Sequence, residues 1–427
     1  ILAPIVVLAL GLAAILLPQP GTPEPEPAPG TVVPPLAVCP TEEGGTRNSR
    51  LGIVSTVAGE GRLTILSGGG TAGTGEFSTG ASGSASIDLG DVAAVGKAAG
   101  LVEFPDSESA AAAMTRSSGL SSAEVCARIP DQQVIVGGGS TIEDRIFQIQ
   151  LMNPYSAEAS ADITAFSESG RESSEALRSI LVPARSTVLL DLSSILPGRE
   201  SLDLLVETTR GNLVTYASSE VDGDQAVWRA VAPGEIWYVP MPTFSGSREV
   251  VISSVAPGEV AYQVDVFGPE GLEEAALEGT IDPGAQAAID LSEISPAALA
   301  VRVVATEPVG VFARLRIATG FAMTPAVPAA NGEWLLPGAG SSFAGGSRLV
   351  LANVGVDAAD VVVTEVRGES RSRVISLQPN QVLEVTLDEI SSDGVSLSAD
   401  GDIVPLWLSG ADGAVAVTTG FALVSDG

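Results

Sequence analysis

Ala85-Ser-Ile-Asp-Leu-Gly90 returns as Val188-Leu-Leu-Asp-Leu-Ser193, as Ala287-Ala-Ile-Asp-Leu-Ser292 and, more loosely, as Glu384-Val-Thr-Leu-Asp-Glu389. The anchoring aspartates Asp88, Asp191, Asp290 and Asp388 stand 103, 99 and 98 residues apart. A fixed period this long marks repetition of whole small domains rather than of propeller blades, which run about 40–50 residues. In the last three copies a proline opens the strand that leads into the anchor: Pro183, Pro283 and Pro379. Other matches keep the same spacing. Gly234-Glu-Ile-Trp-Tyr-Val-Pro240 pairs with Gly332-Glu-Trp-Leu-Leu-Pro337, and Thr319-Gly-Phe-Ala322 with Thr419-Gly-Phe-Ala422.

Between the anchors the pattern alternates. Ile146-Phe-Gln-Ile-Gln-Leu-Met-Asn-Pro154, Val250 to Pro257 and Arg348 to Val354 are followed by Ala161 to Phe166, Ala261 to Phe267 and Asp360 to Val366. Period-two patterning rich in β-branched residues reads as half-buried strands. The spacing predicts an all-β chain of four tandem immunoglobulin-like β-sandwich modules, each of about seven strands and about 100 residues. Their bounds fall at 38–132, 133–235, 236–330 and 331–427. Short linkers predict abutting modules in a rod or arc.

Ahead of the repeats, Ile1 to Leu17 carries no charge and is almost wholly apolar. At about 1.5 Å per residue it spans somewhat less than a bilayer core. Two readings compete, a transmembrane anchor and the core of a signal peptide; a third, a buried helix of a soluble domain, fits poorly with the Pro-rich segment that follows. The anchor is preferred, with Gly11, Ala13 and Ala14 as a helix-packing face. Residues 18–37 form a Pro-rich linker, with eight prolines between Pro18 and Pro35. Proline removes amide donors, so the segment reads as an extended polyproline stalk. This order predicts a single-pass cell-membrane protein, its bulk extracytoplasmic.

Composition excludes several chemistries. The chain has no histidine, two cysteines and a net charge of −31. Triads with a histidine base and zinc sites of His and Cys are excluded. A charge of −31 repels phosphate backbones, so nucleic acid is not an expected partner. No catalytic residue, metal site or cofactor is assigned.

Other candidates are weighed against plainer readings. Gly137-Gly-Gly139-Ser-Thr141 resembles a phosphate loop but lacks its lysine, so it reads as a flexible inter-module turn. Asp222-Gly-Asp224 and Asp400-Gly-Asp402 read as hairpin turns before calcium sites. Trp228, Trp237, Trp334 and Trp407 read as core before a sugar platform. Cys39 opens module 1 and Cys126 lies in its closing strand, where first and last strands meet. An exported location permits oxidation, so a Cys39–Cys126 disulfide is expected.

The alternating strands, the Asn-Pro turn, the proline-led strand into Asp-Leu and the stretch Ala300 to Val309 together resemble an uncharacterised actinobacterial family. Its members are membrane-anchored, exported β-repeat proteins, often encoded beside cell-envelope glycosyltransferases. The resemblance implies a role in envelope glycan assembly, with a membrane glycosyltransferase or a cell-wall glycan as partner. The leading expectation is a non-enzymatic, membrane-anchored scaffold or binding module of the cell envelope. The alternatives are an accessory subunit of a membrane glycosyltransferase and a secreted glycan-active enzyme or adhesin.

Overall fold

The computed structural model describes residues 36–427 apart from 43–47, 81–82, 94–95, 117–119, 129, 222–223, 244–245, 269–270, 298, 318–319, 341–346, 367–369, 388–393, 412–413 and 424–427. The anchor expected at 1–17, with Gly11, Ala13 and Ala14, and the stalk up to residue 35 lie outside the described residues. Among the described residues no helix is long and apolar enough to cross a membrane.

Repeat 1 shows the plan. Its strands are β1 (Leu36–Glu42), β2 (Asn48–Ser55), β3 (Glu60–Ser67), β4 (Gly70–Ser78), β5 (Ser84–Asp88), β6 (Lys97–Glu103), β7 (Ser109–Arg116) and β8 (Leu120–Val125). They form two four-stranded sheets, ordered β1-β6-β3-β4 and β5-β2-β7-β8. Repeat 2, between Gln133–Gly139 and Asp224–Arg229, keeps both orders and adds one short strand to the first sheet. In repeats 3 and 4 the strands equivalent to β6 and β7 run on as single 18-residue strands, Ala300–Ile317 and Gly394–Ala411, which pass from one sheet to the other. Each sandwich thus has a closing strand, β8 or its equivalent, beyond the seven expected, and repeat 2 adds the short strand Ile180–Val182 beside Ala159–Ser167.

The Asp-Leu anchor has a local cause. Asp191 accepts a hydrogen bond from the Ser193 amide at 3.1 Å and Asp290 from the Ser292 amide at 2.8 Å. Each caps a one-turn helix, α1 (Leu192–Ile195) and α2 (Leu291–Ile294), as short side-chain acceptors do at helix starts. The leucine that follows is buried in every repeat: Leu89, Leu192, Leu291 and Leu387. Register corrects the fourth copy. Arg50 pairs with Asp88, Gln148 with Asp191, Glu249 with Asp290, and Arg348 with Thr386. Thr386, two residues before Asp388, therefore holds the anchor position.

A second repeat device sits at the end of the strand equivalent to β2. Asn153 Nδ2 donates to the carbonyls of Ala157 (2.8 Å), Val182 (3.1 Å) and Pro183 (3.1 Å), while its Oδ1 accepts from Tyr155 N at 3.0 Å. Asn353 does the same for Asp357, Gln378 and Gly355. Asn153→Ala should leave these buried groups unpaired and cost about 2–3 kcal/mol. Urea denaturation checks this, and a loss below about 0.5 kcal/mol would show that the network contributes nothing net.

Neither the rod nor the open arc expected from the short linkers is what forms. The unit Pro35–Gly427 closes on itself as a ring of four sandwiches. The closing strands β8, Asp224–Arg229, Gly320–Pro325 and Ala414–Thr419 pack in a circuit, each against the next and the last against β8. The reason lies in the outer faces of the sheets. In repeat 1, Leu51, Ile53, Leu63, Val102 and Ala111 fill the sandwich's own core. The opposite faces are apolar too. Val38, Leu66, Ala99 and Leu101 pack on Met152, Val214 and Tyr216 of repeat 2, while Val54 and Ala110 pack on Leu335 and Val366 of repeat 4. Burial of apolar surface drives such packing, and a rod would leave one apolar sheet face bare at each end.

Small residues set how closely the sandwiches meet. Gly137-Gly-Gly139 is no flexible turn but the end of the buried strand Gln133–Gly139. A Cβ on Gly137 would lie 2.1 Å from Ser253 Oγ and 2.6 Å from Phe312 in repeat 3, and Gly138 has φ +76°, which favours glycine. Asp400-Gly-Asp402 likewise is no hairpin. It is the step at which the strand Gly394–Ala411 changes sheets, with Asp400 accepting from the Asp360 amide at 2.8 Å. Of the other pair, Asp222 and Gly223 lie outside the described residues, while Asp224 accepts from the Phe321 amide at 2.7 Å across the repeat 2–3 junction.

The last junction returns to repeat 1. Val125 N donates to Thr418 Oγ1 at 3.3 Å. The Arg128 guanidinium lies 5.2 Å from the Phe104 ring centre and 4.8 Å from that of Phe421. Cation–π contacts contribute about 0.5–2 kcal/mol each, so Arg128→Ala should loosen this junction ahead of the others. Hydrogen exchange at the Val125 amide should accelerate at least tenfold, while exchange in the repeat 2–3 junction stays unchanged. Equal acceleration at both would show that Arg128 does not act locally.

Candidate functional site

Three inter-repeat linkers converge on one cavity of ≈ 340 Å³. Pro130 and Asp131 come from the first linker, Val231 to Gly234 from the second, and Ala326 and Pro328 from the third. Each linker leaves its closing strand through a single antiparallel bridge: Val38 with Ala127, Ile135 with Val231, and Tyr238 with Val327. Those bridges fix where the chain turns, and the prolines beyond them restrict φ. Val134, Leu213, Val214 and Trp237 supply apolar walls. The Trp237 indole is held by Nε1 donating to Gly234 O at 2.9 Å and Val309 O at 3.1 Å. Trp334 makes the equivalent pair of bonds to Asn331 O and Ile403 O.

Arg229 is the one basic residue among those lining this cavity. Arg229, at the end of its closing strand, lines the wall, and its buried Nε has no hydrogen-bond partner among the described residues. Asp131 stands beside it. Partial burial pushes the Asp131 carboxyl up, and the Arg229 charge opposes that rise.

A second, smaller site lies at the repeat 1–2 junction, where the Arg229 charge acts on Glu124. This cavity of ≈ 20 Å³ is lined by Glu42, Lys97, Thr115, Glu124, Gln150 and Gln225, among others. Lys97, the single lysine, donates to Gln148 Oε1 at 2.6 Å and Ser218 Oγ at 3.0 Å. Gln225 Nε2 donates to Glu42 Oε2 at 2.8 Å. Tyr216 stitches the same seam, its hydroxyl accepting from Ala127 N at 2.7 Å and contacting Val38 O at 3.0 Å and Val125 O at 3.1 Å. Glu124 is fully enclosed. Desolvation pushes its carboxyl up to about 8, with Arg229 pulling the other way. Glu124 Oε2, Gln225 Oε1 and Gln150 Nε2 have no hydrogen-bond partner among the described residues. At the repeat 2–3 junction burial likewise pushes Asp203 up to about 7, opposed by the Gly138 amide, Ser253 and Arg314.

The sequence-derived candidates fall out as follows. Cys39 and Cys126 are joined in a disulfide across repeat 1. All four tryptophans are buried, so none offers an open sugar platform, and Phe147 stacks on Trp228 at 6.0 Å. Among the described residues no group of three His, Cys, Asp or Glu side chains could hold a metal ion. Sequence reasoning missed Arg229, Asp131 and Glu124. Their signal was faint: an arginine and two acids beside linkers, in a chain with 52 acidic residues.

No curated protein matches the chain. Among solved structures, a tetra-tandem repeat from the extending region of a large adhesion protein is similar at 12% identity and a TM-score of 0.12, covering 91% of this chain and 99% of that one. Two B repeat units of the collagen binding protein of Staphylococcus aureus are similar at 9% identity and a TM-score of 0.11, covering 90% and 99%. Residues 117–388, more than half of the sequence, match DUF5719, and the chain belongs to that family of unknown function.

Proposed function

We propose that this chain is a non-enzymatic scaffold or binding module of the cell envelope, held outside the cytoplasm by residues 1–17 and the stalk. One observation carries the binding half of that reading. The ≈ 340 Å³ cavity is built from three different linkers, so it exists only where the repeats they join are packed together. Ligand pockets of about 300–1,000 Å³ that are largely pre-formed bind without a large ordering cost. The Cys39–Cys126 disulfide supports the extracytoplasmic half, because such bonds persist in oxidising compartments.

The test begins with membranes of the native host. The chain should sediment with membranes, resist a carbonate wash, and be cleaved by protease added from outside intact cells. Recovery in the soluble cytoplasm would end the anchored reading. A C-terminal tag then captures the extracted protein for mass spectrometry. Stoichiometric recovery of an integral-membrane glycosyltransferase would replace the scaffold with an accessory subunit of that enzyme.

A further inference from the structure

We propose that one sheet face of repeat 3 binds an uncharged saccharide, stacked on Tyr238 and hydrogen-bonded by Arg302. Register singles the place out. In every repeat the residue paired with the segment after a closing strand begins a row across three strands. The row reads Val38, Leu101, Thr64 in repeat 1, Ile135, Leu205, Thr164 in repeat 2 and Leu335, Ser396, Thr364 in repeat 4. In repeat 3 it reads Tyr238, Arg302, Asp265. Three repeats build the same row without a charge, so the fold does not demand one. Asp265 is 0% exposed, and burying a carboxylate is costly unless it is paired. What it holds is specific. Its Oδ2 accepts from Arg302 Nε at 2.6 Å, and its Oδ1 accepts from Gln263 Nε2 at 2.6 Å and from the Ala275 amide at 2.8 Å.

Those bonds fix two side chains at the surface. The Arg302 side chain is 29% exposed, and its two outer nitrogens make no hydrogen bond among the described residues. Asp265 already answers its charge, so Arg302 presents oriented donors rather than a free cation. A second row beside the first carries Ile236, Val304, Gln263 and Glu278. Ile236 is 45% exposed, Val304 and Gln263 are half-buried, and Glu278 is exposed. Side chains two apart on a strand share a face, so Tyr238 and Ile236 form an apolar strip beside held donors and acceptors. A pyranose ring has the matching chemistry, an apolar face of C–H bonds edged by hydroxyls that donate and accept. Tyrosine suits it, with a flat apolar body and a polar tip. Partners already held in place reduce the ordering cost of binding. Charge then chooses among sugars. With Arg302 paired internally, Glu278 exposed and a net charge of −31, the face repels anionic glycans. It also lies apart from the linker cavity, because successive side chains of a strand point to opposite faces, and Trp237, not Tyr238, lines that cavity.

The experiment uses the full chain with its disulfide intact. Calorimetry measures cellohexaose, mannohexaose, N-acetylchitohexaose and the anionic hexagalacturonate. At least one of the three uncharged sugars should bind with a dissociation constant below about 1 mM, and hexagalacturonate at least tenfold more weakly. Tyr238→Leu installs the residue that repeat 4 carries at the same register, Leu335, and should lose at least tenfold in affinity, as removal of a central aromatic anchor does. Arg302→Lys keeps a charge over Asp265 but removes the planar fork, and should lose at least fivefold. In parallel, the side-chain amide resonance of Gln263 in the unmodified protein should shift on addition of the bound sugar. If neither variant folds, that shift decides alone. No uncharged sugar bound below about 10 mM, unchanged affinity in both folded variants, or an unmoved Gln263 resonance would overturn the proposal. Preferred binding of hexagalacturonate would overturn it in favour of an anionic glycan. None of these outcomes bears on membrane attachment, on the linker cavity or on the proteins captured by the tag, so a failure here is separable from a failure of the scaffold reading.

Discussion

Raising the pH from 5 to 9 should destabilise this protein, and Glu124→Gln should remove much of that sensitivity. Burial raises the Glu124 carboxyl from 4.5 to about 8. The folded state therefore holds a proton that the unfolded state releases. Between those two values the native state binds more protons, so stability falls as pH rises. Glu124's contribution is complete below about 4.5, declines through the window, and is lost above about 8. At about 1.4 kcal/mol per pH unit the full effect is about 5 kcal/mol. Asp203, raised to about 7, adds a decline of the same sign that begins and ends lower. Urea denaturation at pH 5, 7 and 9 should show the unmodified protein losing stability steadily. The Glu124→Gln protein should keep only the Asp203 slope and be the more stable of the two at pH 9. Parallel pH profiles for the two proteins would refute the assignment. The location matters for function, because Glu124 sits at the repeat 1–2 junction beside Arg229. Alkaline loosening there would disturb the linker cavity as well.

Opening the Cys39–Cys126 bond should be nearly as costly. The half-cystines are 87 residues apart in sequence. By the chain-entropy estimate, a loop of that length constrains the unfolded state by about 4–5 kcal/mol. The bond ties β1 to the residue that follows β8, and β8 packs on the closing strands of both neighbouring repeats. Loss of order in repeat 1 would therefore release two of the four junctions. Dithiothreitol should lower the urea midpoint of the unmodified protein, and a Cys39→Ala, Cys126→Ala protein should start at that lower midpoint and ignore the reductant. An unmodified protein whose midpoint does not respond to complete reduction would rule the contribution out.

Much of the architecture was legible in the amino-acid order. The all-β class and four copies near 100 residues follow from local signals. These are alternation within strands, prolines at strand starts, and aspartates that cap one-turn helices at Asp191 and Asp290. Such signals act within about ten residues and so survive in a one-dimensional reading. Even they can slip, as at the fourth anchor, where Asp388 attracts attention but register gives the position to Thr386.

Ring closure and the candidate site left almost no local trace. The contact between Val125 and Thr418 joins residues 293 positions apart, and neither residue type announces a partner. Gly137-Gly-Gly139 reads as flexibility because glycine lacks a side chain; only the approach of Ser253 and Phe312 shows that the missing Cβ is space already filled. Arg229 is one of 21 basic residues until the fold buries its Nε beside three converging linkers. The repeat and the strands are properties of short stretches of chain, and the sequence by itself determined them. The ring, the cavity and the raised carboxyl of Glu124 depend on which surfaces exclude water together. Desolvation and close packing exist only between segments that meet in space, so those features were decided by the tertiary structure alone.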